Sequence, residues 1–173
     1  FIQIITFLHH NQPRYYTAMP FSHHLSSLAT ELRDLAEIDC TSAWANYGKS
    51  VHRDPYGRIY WLRTGAAEVR LPDQVMPLRP GHLYAIPAYT SSTYFCPNFM
   101  RLCYIHFTAE VFGGLDAFHH FQWPLDVTCK DRDTIDHIWN RILELSGSSS
   151  LASQLEQDGL LRLLLARFAQ AAP

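Results

Sequence analysis

The sequence predicts a mainly β domain that ends in two α-helices. Short runs of β-branched and aromatic residues alternate with Gly and Pro turns over residues 46–125. Helical periodicity replaces this pattern in residues 126–173. The length of 173 residues suits one domain with a substantial hydrophobic core.

Residues 1–45 are predicted to form an N-terminal arm and a helix. The first part is rich in aromatic residues and is broken by Pro13 and Pro20. Ser22 is a candidate cap for a helix that we expect to end near Asp39. The leucines that recur at helical spacing are Leu25, Leu28, Leu32 and Leu35.

Five stretches between residues 46 and 125 are predicted as strands. Turn residues bound them, among them Gly65 and the pairs Pro72-Asp73 and Pro80-Gly81. Short strands with such regular turns predict a β-sandwich or a barrel. The stretches are RIYWLRTG, AAEVRL, QVMPL, HLYAI and MRLCYIHF.

Residues 126–173 are predicted to hold two helices. The first has a candidate cap at Asp133 and an end at Gly147. The second, LEQDGLLRLLLARFAQAA, has an apolar arc wider than one contact requires, so we expect it to contact its own domain and a further partner. Its apolar stripe consists of Leu161, Leu164, Leu165 and Phe168, widened by Leu160 and Leu163.

Charge and cysteine usage exclude several functions for this segment. The formal net charge is −2 and no basic run occurs, which argues against DNA binding by these residues. The four cysteines are widely spaced without a CxxC pair, so we expect small buried side chains in a reducing compartment. No apolar run is long enough to cross a membrane.

Part of the chain is similar to the two sequence patterns of metal-binding cupin barrels. The stretch GHLYAIP begins the second pattern, but Ser92 stands where that pattern has a histidine ligand. In the first pattern His52 and Asp54 fall at the two histidine positions, and Arg58 falls at the glutamate position. Arginine is permanently cationic and cannot ligate a divalent cation. We therefore expect neither a metal nor another cofactor.

A cup of aromatic and polar side chains is the remaining candidate site. No nucleophile elbow, phosphate loop or zinc-protease motif occurs, and adjacent histidines such as His9-His10 are poorly spaced for chelation. An inward Arg58 needs a ligand or an internal carboxylate such as Glu68 or Asp54 as its partner. Strand alternation places the following residues on the same inner face: Tyr60, Leu62, Leu102, Tyr104 and His106.

The segments HRDPYGRIYWLRTGAAEV, LRPGHLYAIP and RLCYIHF and the two C-terminal helices together resemble a known family. Their order and spacing over about residues 50–170 resemble the N-terminal effector-binding and dimerisation domain of AraC-family transcriptional regulators. The resemblance implies a cupin-like barrel, of the double-stranded β-helix or jelly-roll type, followed by dimerisation helices. A helix-turn-helix DNA-binding domain follows in that family, and we expect DNA contact only through such a domain beyond Pro173.

By position, the resemblance assigns effector contacts to Arg53, Tyr94, Leu102 and Tyr104. Leu102 departs from the polar residue of the arabinose-binding member, which argues against arabinose itself. We expect a small polar or anionic effector, a sugar or a small organic acid, held by Arg53 or Arg58. The residues expected to line its cup are Tyr60, Tyr94, Tyr104 and His106.

The resemblance also predicts a cytoplasmic homodimer without enzymatic activity. It assigns the stripe Leu161, Leu164, Leu165 and Phe168 to the dimer interface. Two alternatives remain open from the residues. One is a metal-independent cupin enzyme of the sugar isomerase or epimerase type, with His106 and Tyr104 as acid and base. The other is a storage or structural cupin.

Overall fold

A computed structural model describes residues 28–44 and 49–173. The described residues form nine strands and three helices. The strands are β1 (Ala29–Thr41), β2 (Gly57–Gly65), β3 (Ala67–Arg70), β4 (Val75–Leu78), β5 (His82–Ile86), β6 (Thr93–Phe95), β7 (Phe99–Val111), β8 (Leu115–Asp116) and β9 (Asp126–Thr128). The helices are α1 (Ala117–Phe121), α2 (Arg132–Leu145) and α3 (Leu151–Gln170).

The strands form two antiparallel sheets. The larger sheet has the order β1-β7-β2-β5-β9, with β8 paired to β7, and the smaller sheet has the order β4-β3-β6. One apolar cluster joins the inner faces of both sheets, and a second joins the larger sheet to the helices. The chain therefore has the mainly β, cupin-like fold with C-terminal helices that the sequence predicts.

The two faces of the larger sheet follow the alternation predicted for β2 and β7. Ile59 and Trp61 belong to the cluster under the helices, whereas Tyr60 and Leu62 belong to the cluster between the sheets. On β7 the same division separates Cys103, Ile105 and Phe107 from Leu102. Successive side chains of a strand point to opposite faces, so this prediction is confirmed.

The predicted N-terminal helix is wrong where the structure describes it, because residues 29–41 form β1 and pair with β7. The register shifts between Leu32 and Asp34, so Arg33 is an extra residue that reverses the alternation. Leu32 pairs with Phe107 and Leu35 with Ile105, and both leucines pack on the cluster under the helices. The β-bulge thus gives Leu32 and Leu35 a spacing that also suits one face of a helix. The predicted cap Ser22 and the predicted helix residue Leu25 lie outside the described residues.

A polar network ties α2 to the outer face of the larger sheet. Trp61 Nε1 donates to Asp136 Oδ1 at 2.7 Å, and Arg63 contacts the same carboxylate. Arg63 also reaches Asn140 Oδ1 at 2.5 Å and Glu37 Oε2 at 3.2 Å. Because the register of β2 against β7 shifts between Leu62 and Thr64, Arg63 is the extra residue of a second bulge. The predicted cap Asp133 lies in the first turn of α2, which Asp131 precedes as N-cap.

The apolar stripe of α3 packs against the sheet and helices of its own chain. The predicted assignment of this stripe to a dimer interface is therefore wrong. All four side chains are buried in the cluster under the helices. The Phe168 ring packs edge-on against Phe118, with 5.2 Å between the ring centroids. A buried side chain cannot also contact a second subunit. The residues removed from the predicted interface are Leu161, Leu164, Leu165 and Phe168.

The structure also bears on the predicted burial of the cysteines and on the expected lack of a membrane-spanning segment. All four cysteines are free and buried, as predicted. Burial raises the pKa of Cys40 to about 11 and that of Cys103 to about 12, so both thiols are protonated at neutral pH. Among the helices described here, none is both long and apolar enough to cross a membrane.

Candidate functional site

A buried arginine at the start of β2 organises the region where the predicted site residues lie. Arg58 is only 2% exposed. Its Nη1 lies 3.0 Å from Asp54 Oδ2 and donates to Ser92 Oγ at 3.1 Å and to the Tyr94 hydroxyl. Its Nη2 donates to the Thr90 carbonyl at 3.3 Å. One side chain therefore joins the segment before β2 to the β5–β6 loop and to β6.

The partner of Arg58 is one of the internal carboxylates that the sequence left open. Asp54 balances its charge, whereas Glu68 pairs with Arg70 at 2.5 Å. Within the described residues, the buried Nε of Arg58 has no hydrogen-bond partner. Because its charge is already balanced, Arg58 does not require an anionic ligand, and its predicted ligand contact stays a prediction.

Arg58 and the three other positions that match cupin metal-ligand positions lie close together. His52 pairs with Ser92 in an antiparallel bridge, and Asp54 and Ser92 both contact Arg58. The fixed positive charge of Arg58 repels a divalent cation at this point, so these residues do not fit a metal. In the part of the chain that the structure describes, no three His, Cys, Asp or Glu side chains are grouped to hold a metal.

The predicted aromatic cup is a packed interior. Tyr94 and Tyr60 are almost fully buried, and their hydroxyl oxygens lie 3.4 Å apart. Burial raises the pKa of Tyr60 well above its usual value. Leu102 is buried in the same cluster, and the Trp44 ring covers Tyr94 with 4.8 Å between centroids. Tyr94 belongs to β6.

Tyr104 and His106 form a separate, half-buried group with two residues that sequence reasoning missed. The Tyr104 hydroxyl donates to Asp34 Oδ2 at 3.1 Å, and His106 Nδ1 lies 3.6 Å from the same oxygen. The Tyr56 ring stacks on His106 with 4.7 Å between centroids. Burial lowers the pKa of His106, and Asp34 partly opposes this effect. Asp34 was missed because its segment was predicted as a helix.

A cleft of about 590 Å³ lies beside the β5–β6 loop. Its walls come from the β3–β4 turn, from residues 87–91, from α1 and from the segment between α1 and β9. Arg53 lines it and donates from Nε to the Tyr89 carbonyl at 3.0 Å. This volume is typical of small-molecule sites, which occur at the mouths of β-barrels. Its other polar lining residues are Asp73, Gln74, Thr90, Ser91, His119 and Gln122.

The Arg58 network fixes the loop that forms one wall of this cleft. Tyr89 adopts a left-handed backbone with φ of 58°, which is uncommon for a residue with a side chain. Its backbone N–H donates to the Asp54 carbonyl at 2.7 Å. The next residue, Thr90, accepts from Arg58. Asp54 and Arg58 thus hold the loop from both sides, and the loop presents its polar groups to the cleft.

The structure divides the seven predicted ligand residues among three places and does not gather them into one cup. Arg53 alone reaches the cleft. Tyr104 and His106 lie beside Asp34. The remaining four fill the interior or hold the loop, and they are Arg58, Tyr60, Tyr94 and Leu102.

Comparisons with known proteins give distant structural similarities only. No protein-family model and no curated protein matches the chain. An RmlC-like cupin from Shewanella frigidimarina is 16% identical, with a TM-score of 0.35, and the match covers 46% of this chain and 75% of that one. A predicted oxalate decarboxylase from Thermotoga maritima is 12% identical, with a TM-score of 0.36 and coverages of 43% and 65%.

A salicylate 1,2-dioxygenase from Pseudoaminobacter salicylatoxidans is also similar, at 9% identity and a TM-score of 0.35. That match covers 51% of this chain and 30% of the dioxygenase. Two of these cupin structures are thus named as enzymes, which contradicts the prediction, taken from the family resemblance, that the chain is not an enzyme. At these identities and TM-scores, the similarities assign no reaction to the chain.

Replacement of Arg58 by alanine is expected to destabilise the fold strongly. The variant leaves Asp54, Ser92 and Tyr94 without their shared cation, and breaking a buried ion pair typically costs about 3–5 kcal/mol. Urea unfolding measures this loss. The control is Arg70→Ala, which removes a half-exposed pair with Glu68 and should cost at most about 1 kcal/mol. Similar small losses in both variants would contradict the structural role of Arg58.

Stability is expected to fall on acidification because of His106. Its pKa is lower in the folded protein than its usual value near 6.5, so the unfolded chain binds the proton more readily. The free energy of unfolding should therefore decrease as the pH drops from 7 towards 5. Urea unfolding at several pH values should show a flatter profile for His106→Asn than for the control His137→Asn, an exposed position. Parallel profiles in both variants would count against this assignment.

Proposed function

We propose that the chain is the effector-sensing and dimerisation domain of an AraC-type transcriptional regulator. The segments that resemble this family, the cupin-like barrel and the two helices after it support the proposal. The effector binds in the cleft beside the β5–β6 loop, with Arg53 as the predicted contact that reaches it. DNA is contacted in the cytoplasm through a C-terminal domain outside this sequence.

The observation that carries the proposal is a continuous packing from the cleft to α3. Phe118 and Trp123 line the cleft, and their rings pack edge-on with 5.1 Å between centroids. Phe118 also packs edge-on on Phe168 of α3. A ligand that favours one arrangement of Phe118 would also bias the position of α3, and the resulting coupling is reciprocal.

The surface that we propose for the dimer is the outer face of α3. Leu151, Leu155 and Leu163 are 71%, 64% and 53% exposed there. Gly159 lies between Leu155 and Leu163 on the same face. A side chain at Gly159 would meet no atom of its own protomer within 4 Å. Glycine inside a helix costs about 1 kcal/mol relative to alanine, and close approach of a second helix gives a reason for it.

The sequence around Gly159 is symmetric in a way that suits a second copy of α3. Leu155 and Leu163 each lie four residues from Gly159, and Glu156 and Arg162 each lie three residues from it. In an antiparallel pair with a two-fold axis at Gly159, each Leu155 meets the partner's leucine at 163. Glu156 and Arg162 already pair with Arg141 and Asp158 of their own chain, so the self-complementarity rests on the leucines. A two-fold interface requires such self-complementarity.

The group of Asp34, Tyr104 and His106 favours a second candidate function. Tyr104 and His106 both lie near Asp34 Oδ2, and two proton-exchanging side chains this close together suit an acid–base pair of an isomerase or epimerase. Conversion of a sugar by the purified domain, lost in His106→Asn, would support this candidate. Effector binding without conversion would support the sensor.

The dimer is tested with charges on the proposed surface. Light scattering at tens of micromolar should give a dimer for the wild type and a monomer for Leu155→Glu combined with Leu163→Glu, because the interface would bury unpaired carboxylates. The free energy of unfolding of the double variant should be close to that of the wild type at a concentration low enough for the wild type to be monomeric, since both leucines are exposed. The control is Gln154→Glu, also exposed but on another face of α3.

A second substitution distinguishes close approach of two α3 helices at Gly159 from nonspecific association through exposed apolar surface. Gly159→Leu adds apolar surface, yet it should weaken the dimer, because a side chain there keeps the two helices apart. A wild-type monomer, a dimeric double variant or a tighter Gly159→Leu dimer would each refute the proposed interface.

A further inference from the structure

We infer that the cleft beside the β5–β6 loop binds an aromatic monocarboxylate, with Arg53 as the anchor of its carboxylate. The inference rests on the proposed function only in placing the ligand in this cleft. It narrows the ligand class from sugars and small organic acids in general to aromatic acids with one carboxylate. The argument rests on the charge state of Arg53, on Asp73 and on the aromatic wall.

Arg53 is a cation without an internal counter-charge. Most arginines of the described chain pair with a carboxylate, as Arg101 does with Asp39 at 2.8 Å and Arg141 with Glu156 at 2.6 Å. Within the described residues, Arg53 has no ion-pair partner, and its Nε donates to the Tyr89 carbonyl. That bond fixes the plane of the guanidinium and leaves both Nη nitrogens for a carboxylate. A guanidinium presents such paired donors in the geometry that a carboxylate accepts.

Asp73 limits the charge of the ligand. It lines the same cleft from the β3–β4 turn, and no ion pair is found for it within the described residues. A second negative charge on the ligand would be repelled by this carboxylate. The cleft thus has one positive and one negative side chain besides His119, which suits a ligand with one carboxylate and a neutral body.

The body of the ligand is expected to be flat and apolar. Tyr89 lines the cleft and is 62% exposed, so its ring is available to a ligand. Phe118 and Trp123 also line the cleft but are only 2% and 4% exposed, and Trp123 stacks on Phe121 with 5.5 Å between centroids. Aromatic rings favour edge-to-face and offset contacts with further rings. Trp123 Nε1 is buried and has no hydrogen-bond partner among the described residues. The NMR signal of this indole N–H is therefore expected to respond when a ligand changes the surroundings of the Trp123 ring.

The test uses benzoate as the probe and benzamide as its neutral analogue. Calorimetry should show benzoate binding to the wild type at least about tenfold more tightly than benzamide, because only the carboxylate forms charge-assisted hydrogen bonds with the guanidinium. Arg53→Ala should weaken benzoate binding by a similar factor. The matched control is Arg79→Ala, an arginine outside the cleft that contacts His82 at 3.1 Å. Phthalate, a dianion, should bind more weakly than benzoate.

The site of binding is read from the tryptophan indole signals in a proton–nitrogen NMR spectrum. Benzoate should shift the Trp123 signal, assigned by its loss in Trp123→Phe, and leave that of Trp139 in place. Equal affinities for benzoate and benzamide, no benzoate binding, or full affinity in Arg53→Ala would overturn the inference. Xylose binding that is lost in Arg53→Ala would overturn the ligand class while leaving the sensing cleft in place. The α3 surface variants test dimerisation separately.

Discussion

The ion pair between Arg58 and Asp54 is the interaction on which the candidate site depends. A guanidinium this deeply buried needs a counter-charge and several acceptors. It takes the counter-charge from Asp54, four residues earlier, and the acceptors from residues 90–94, which lie 32 to 36 residues further along the chain. The segment before β2, the β5–β6 loop and β6 are therefore held in one arrangement. The left-handed backbone at Tyr89 is part of this arrangement, and the cleft exists because the loop is held there.

The same pair lies at positions where the metal-binding cupin patterns have ligands. In this chain the guanidinium of Arg58 supplies a positive charge at the positions that match metal ligands. Arg58 contacts Asp54 and Ser92, and His52 is held next to them by its backbone bridge to Ser92. Because this charge is balanced internally, the interior is packed with Tyr60, Tyr94 and apolar side chains. Space for a ligand lies outside that interior, next to Arg53.

The sequence predicted the regular parts of the fold and failed where a single residue changes the register. The alternation of β2 and β7 could be predicted because turn residues bound the strands and each face has its own cluster. The β1 strand could not, because the extra residue Arg33 places Leu32 and Leu35 on one face at a spacing that also suits a helix. For α3 the periodicity identified the apolar stripe, but whether the stripe meets its own barrel or a second copy depends on tertiary packing.

The candidate site was predictable only in part for a similar reason. Arg53 could be identified from its position before the first strand of the family motif. The cleft itself could not, since its walls come from three turns with no shared sequence signature. Asp34 and Tyr56 escaped notice because their roles depend on pairing across strands and on ring stacking.

We propose that occupancy of the cleft and dimerisation through α3 are coupled by the packing of Phe118 on Phe168. Sedimentation equilibrium of the wild type, without and with saturating benzoate, measures this coupling most directly. Allosteric coupling of 1–3 kcal/mol predicts that the dimer dissociation constant changes by about fivefold or more. The change should be smaller in Phe118→Leu. An identical dissociation constant with and without bound ligand would contradict the account.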